Sequence, residues 1–175
     1  VQNPNGLPHA ELARALRPRP STGRMQAESG HLFTSGDIDE GAQYPYYRGH
    51  GTHVAGIIAA QADGQGVSGG CPDCALAIQA IQTTADVAGA AILDAVARGA
   101  QVINMSIGIP RPDTVYVPDS YCVENSTTPP CNAISIAAQR EVALVASSGN
   151  DRSHVQFPAN QSGVMAIGGL EFVSQ

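Results

Sequence analysis

Apolar residues in this chain recur either with a period near 3.6 or in short unbroken runs. Ala88, Ala91, Ile92, Ala95 and Val96 fall at i, i+3, i+4, i+7 and i+8, which predicts an amphipathic helix with one buried stripe. Gly99 stands where that pattern ends, the place for a left-handed cap. Residues 52–60 (THVAGIIAA) carry no charge and predict a helix buried on nearly every side, with Gly and Ala permitting close packing. Residues 133–139 predict a further helix. Short apolar runs at 75–81 (ALAIQAI), 102–105 (VINM), 142–146 (VALVA) and 164–167 (VMAI) read as buried strands. Strands alternating with helices imply an α/β fold, a mostly parallel sheet with helices on both faces.

Two stretches break this rhythm. Residues 1–48 are rich in Pro, Gly and Arg and read mostly as loop, apart from a short helix predicted over 9–16 (HAELARAL). Residues 109–130 hold five prolines and two tyrosines between a strand and a helix. A loop of that length inside a compact domain is usually functional or inserted.

Composition narrows the class. A chain of 175 residues has room for one domain, and 43% hydrophobic residues suit a globular fold. The net charge of −6 and the scattered arginines leave no basic stripe for phosphates, which argues against a nucleic-acid partner. No apolar run approaches the roughly 20 residues of a membrane span. The first residue is Val, and the final strand and turn break off, so the chain reads as an excerpt of a longer protein. Four cysteines fall as two close pairs, Cys71/Cys74 and Cys122/Cys131. Their spacing favours two local disulfides in an exported protein over a zinc site, which needs a second pair of soft ligands at short spacing. Cys122 and Cys131 are expected to pin the far end of the inserted loop, and Cys71 and Cys74 to be either a tight bridge or free.

The sharpest chemical signal is His50-Gly51-Thr52-His53-Val54-Ala55-Gly56. A histidine where a loop enters a helix has its backbone fixed and its ring available to a cleft, and imidazole titrates near neutrality, as a general base requires. The string HGTHVAG resembles the histidine motif of the subtilisin-like serine proteases. The resemblance continues in order through Asn104-Met105-Ser106-Ile107-Gly108, Ala146-Ser147-Ser148-Gly149-Asn150, Phe157-Pro158-Ala159 and Val164-Met165-Ala166-Ile167-Gly168, covering residues 48–172.

That resemblance implies roles. His50 takes the proton of a serine nucleophile and returns it to the leaving amine. Asn150 aims its side-chain amide at the oxygen that gains charge in the tetrahedral intermediate. Ser106, Ile107 and Gly108 offer their main chain to an extended polypeptide substrate, which pairs as an added strand. With Ala146, Ser147, Ser148 and Gly149 they wall the pocket for the residue before the scissile bond. Small residues on both walls suggest an open pocket for medium or large apolar side chains. His53 reads as structural. The implied activity is a serine endopeptidase needing no cofactor for its chemistry, and the implied location is secreted or extracytoplasmic.

The chain also departs from the family pattern. Nothing in residues 1–49 matches the Asp-Ser/Thr-Gly motif of the catalytic aspartate, and the Gly-flanked Asp37 and Asp39 are given no such role. The aspartate is expected upstream of Val1 and the serine, in Gly-Thr-Ser-Met-Ala, beyond Gln175, in the family's order Asp, His, Ser. The segment around Asp63 aligns with a loop that binds calcium in many relatives, although one carboxylate is thin support for a site of 6–8 oxygens. Two rivals stand beside the protease reading. A nucleotide-binding module lacks its glycine string here. A non-catalytic scaffold of the same fold has no use for both His50 and Asn150. Asn125-Ser126-Thr127 and Asn160-Gln161-Ser162 are formal glycosylation acceptors.

Overall fold

The computed structural model describes residues 31–32, 50–64, 66–81, 84–108, 117–150 and 154–170. The chain divides into two compact units, residues 1–82 and 83–175, each described by itself. The helix predicted at 9–16, and Asp37 and Asp39, lie outside the described residues.

In the first unit, β1 (His31–Leu32) pairs in parallel with β2 (Gln79–Ala80), and α1 (His50–Ala59) lies between them in sequence. The ladder is shorter than the predicted run of 75–81. The strand at 31–32 falls where the sequence suggests loop, because its Pro- and Gly-rich surroundings carry no periodic signal. In α1, Ala55 and Ala59 are buried, while His53 is exposed and Ile57 is 60% exposed. The helix is therefore covered along one stripe rather than on nearly every side.

The end of α1 is closed by main chain. The amides of Gly69, Gly70 and Cys71 donate to the carbonyls of Ala60, Ile57 and Ile58 at 3.0, 2.9 and 2.8 Å, satisfying groups that a helix end leaves without an internal partner. This approach requires glycine at 69, where a Cβ would stand 2.5 Å from the Ala59 nitrogen and 2.6 Å from the Ala60 nitrogen. A disulfide joins Cys71 to Cys74, with Cα atoms 5.3 Å apart, and holds the loop immediately after these bonds.

In the second unit, β3 (Val102–Met105), β4 (Ala143–Ser147) and β5 (Val164–Ile167) form a parallel sheet in that order. The register pairs Ile103 with Leu144 and Met105 with Ala146, and Leu144 in turn with Val164. Because side chains alternate along a strand, these residues share one face. That face packs with Ile92 of α2 (Ala85–Ala97) and with Ala133, Ile134 and Ala137 of α4 (Cys131–Gln139) in one core. Each large apolar side chain buried there contributes about 1.5–3 kcal/mol. The opposite face carries Val102 and Met165, 61% and 62% exposed.

Both long helices of this unit end in the same cap. After α2, the Gly99 and Ala100 amides donate to the carbonyls of Val96 and Ala95, with Gly99 at φ 79°. After α4, Glu141 takes the left-handed position at φ 57°, and the Glu141 and Val142 amides reach Ala138 and Ala137. A short α3 (Tyr121–Glu124) interrupts the stretch expected to be loop. Cys122 in α3 is disulfide-bonded to Cys131 at the start of α4, with Cα atoms 5.0 Å apart.

Gly69→Ala drives a methyl into the main chain of α1, which cannot move aside as a flexible side chain would. We expect a loss of about 2 kcal/mol or more in urea denaturation. A variant as stable as the wild type would show that the loop is not locked to the helix.

Candidate active site

The carboxyl ends of β3 and β4 lie side by side, since Met105 pairs with Ala146 at the last step of their ladder. Beyond it the chain continues as two short segments, 106–108 and 147–149. Their proximity is held by a side chain as well as by the sheet: the Ser147 hydroxyl donates to the Ile107 carbonyl at 3.1 Å. Within the first segment, the Asn104 side-chain amide donates to the Ser106 hydroxyl at 3.0 Å. The Ser148 amide reaches the Ile167 carbonyl at 2.9 Å, extending the β4–β5 pairing by one bond. In parallel α/β sheets, ligands bind in the crevice outside these strand ends.

The structure thus brings Ser106, Ile107, Gly108, Ser147, Ser148 and Gly149 together. Ala146 needs a correction, because its side chain is 1% exposed and belongs to the core, leaving only its main chain to contribute to a wall. Asn150 follows Gly149, which has φ 96°, and is exposed. His50 is the exposed first residue of α1 in the first unit.

The sequence reading missed Gln156. Its amide donates to the Ser148 carbonyl at 2.9 Å, and its side chain runs between the two segments. A Cβ built on Gly108 would lie 2.0 Å from Gln156 Oε1, and one built on Gly149 would lie 2.4 Å from its Cγ and Cδ. Glycine at both positions is what lets the carboxamide occupy that gap. The side chain of Gln156 thus lies against both glycines.

A second unforeseen residue anchors the segment from 117 to 122. Gln161 is 2% exposed, accepts from the Cys122 amide at 2.9 Å, and donates to the Pro118 carbonyl at 3.0 Å and to Asn160 Oδ1 at 2.7 Å. Tyr121 of α3 meets Phe157 edge to face with centroids 6.0 Å apart. Asn160 donates its side-chain amide to the Val117 carbonyl, and Asn125 donates to the Tyr121 carbonyl at 2.9 Å. Both formal glycosylation acceptors thus have their amide nitrogens committed to main chain.

Asp63 is exposed in its Gly-rich turn. Among the described residues, no three His, Cys, Asp or Glu side chains gather to hold a metal. Asp63 supplies at most two of the 6–8 oxygens that a calcium ion takes. No described helix is long and apolar enough to cross a membrane.

The parallel β3–β4–β5 sheet of the second unit, with α2 and α4 packed on it, is an α/β arrangement. The sequence profile of the Subtilase family matches residues 9–173, and the chain belongs to that family. It is 35% identical over 130 residues to the thermophilic serine proteinase of Bacillus sp. (strain AK1), covering 70% of this chain and 29% of that protein. It is 32% identical over 133 residues to the minor extracellular protease Epr of Bacillus subtilis (strain 168), covering 72% of this chain and 18% of that one. Among solved structures, a mutant of the protease domain of PatA superposes with a TM-score of 0.60 at 27% identity, over 82% of this chain and 51% of its own. The chain therefore spans at most about half the length of these relatives.

Gln161→Leu keeps the bulk but leaves the Cys122 amide and the Pro118 carbonyl without their present partner. We expect a loss of about 2–3 kcal/mol by chemical denaturation. A neutral result would mean that water replaces the side chain and that the loop is held by other contacts.

Proposed function

We propose that this chain carries the histidine and oxyanion parts of a serine endopeptidase. The observation that carries the reading is His50 as the exposed first residue of α1, within HGTHVAG, in a chain of the Subtilase family. In this reading the imidazole accepts the proton of a serine hydroxyl as that oxygen attacks the peptide carbonyl, then gives it to the departing amine. Asn150 donates a hydrogen bond to the oxyanion, a contact that strengthens only as charge develops. The substrate is a polypeptide in extended form, lying along 106–108 and adding its main chain as a strand. The serine and aspartate of the triad have no matching motif in residues 1–175. Two disulfides support an extracytoplasmic setting.

Substitutions in the full-length protein test the roles. His50→Ala should abolish peptide hydrolysis with the fold retained. Asn150→Ala should lower kcat by about two to three orders of magnitude with little change in KM, a magnitude that comes from a member of this same family. An equal effect on KM would assign Asn150 to ground-state binding instead.

Residues 1–175 alone should cleave no peptide. Ser147 is bonded to the Ile107 carbonyl, and Ser148 lies in the wall with its main chain tied to Ile167 and Gln156; neither is set up as an activated nucleophile. Hydrolysis by the purified 175-residue chain, blocked by a serine-directed phosphonate, would overturn this assignment.

A further inference from the structure

We propose that Cys71–Cys74 is a thiol–disulfide exchange site, opened reversibly by an external dithiol, and that its opening loosens the loop that closes the end of α1. The inference is independent of the endopeptidase reading. The two disulfides differ in access. Cys71 and Cys74 are both half-buried, and Asp73 between them is exposed. Cys131 is 2% exposed, and its partner Cys122 packs against the core of the second unit. Exchange needs a thiolate to reach a disulfide sulfur, so an external thiol meets the first bridge and is kept from the second. The bridges also differ in span, with sequence separations of 3 and 9. A shorter closed loop restrains the unfolded chain less, so opening Cys71–Cys74 costs the fold less than opening Cys122–Cys131.

One thiolate of the dithiol attacks Sγ of Cys71 or Cys74; a bond forms between reductant and protein, and the other cysteine leaves as a thiolate. The reductant's second thiolate then attacks its own sulfur in this mixed disulfide and releases the second cysteine. The protein gains two electrons and two protons, and the dithiol becomes a disulfide. With that disulfide as oxidant, the same steps run backwards. The return is favoured by a main-chain bond that does not involve sulfur. The Cys74 amide donates to the Cys71 carbonyl at 3.0 Å, across the turn at Pro72 and Asp73, and so keeps the two thiols close together. Cys71 also belongs to the closure of α1. Its amide and those of Gly69 and Gly70 are the donors to the helix carbonyls, and the disulfide ties the chain directly after them. Once the bridge is open, the segment beyond Cys71 moves more freely and these bonds break more often.

The test treats the full-length protein with dithiothreitol at neutral pH without denaturant, traps thiols with iodoacetamide and locates them by peptide mass spectrometry. Cys71 and Cys74 should be alkylated at least about tenfold faster than Cys122 and Cys131. Incubation of the reduced, untrapped protein with oxidised dithiothreitol should restore the bridge and abolish alkylation at 71 and 74. Equal rates at the two pairs, no alkylation at 71 and 74, or failure to reoxidise would each overturn the exchange site. Amide hydrogen exchange reads the loosening. On reduction, the Gly69, Gly70 and Cys71 amides should exchange about fivefold faster or more, while those within α2 keep their rates. The double variant Cys71→Ser with Cys74→Ser should show the same fast exchange with no dithiol present. Unchanged exchange at the three amides in both samples overturns the coupling to α1. A double variant that does not fold overturns the proposal as well, because the bridge is then a staple the fold requires.

Discussion

The register of the β3–β4–β5 ladder is the constraint on which the second unit depends. A shift of one residue would turn Leu144 and Ala146 away from α4 and send exposed residues into the core, because side chains alternate along a strand. The same register fixes where the strands end. With Met105 opposite Ala146, the chain leaves the sheet at 106 and at 147–148 on neighbouring strands, so the two walls emerge together. Core packing and site geometry are in this sense one decision. The apolar face of Ile103, Met105, Leu144 and Val164 specifies the alignment, and the polar segments beyond it inherit their positions.

Around those ends, hydrogen bonds to main chain carry much of the organisation. Ser147 and Gln161 hold segments about forty residues away in sequence by bonding to carbonyls and amides rather than to other side chains. A buried polar side chain is tolerated only when its groups are paired, and Gln161 pairs both ends of its carboxamide. Residues 117–131 therefore stand on a polar anchor, a disulfide and the edge of one aromatic ring. The first unit shows the same economy at α1. An isolated helix of ten residues is marginal in water, and three amides of the following loop close its end.

The contact of Gln156 with Gly108 and Gly149 shows how much depends on the absence of a side chain. Gly108 and Gly149 are far apart in sequence and neither explains the other until Gln156 is seen between them. Any larger residue at either position would displace the carboxamide. The space beside the two glycines is thus taken by a residue of the protein itself.

A 3.6-residue period in the sequence determined α2 with its cap at Gly99; the helix predicted over 133–139 begins two residues earlier in the structure, and the short apolar runs at 102–105 and 164–167 are strands. Each is a local pattern legible along the chain. The string HGTHVAG and its successors likewise determined the family, because those residues stand in fixed local frames. The strand at 31–32, the one-sided burial of α1, the turn of helix at 121–124 and the inward course of Ala146 were decided only by tertiary structure. So were Gln156 and Gln161. A lone glutamine has no period and no motif, and its meaning comes from neighbours brought to it by the sheet. Patterns that repeat along the chain survive as sequence signals; contacts between single residues distant in the chain do not, since they exist only once the fold has closed the distance.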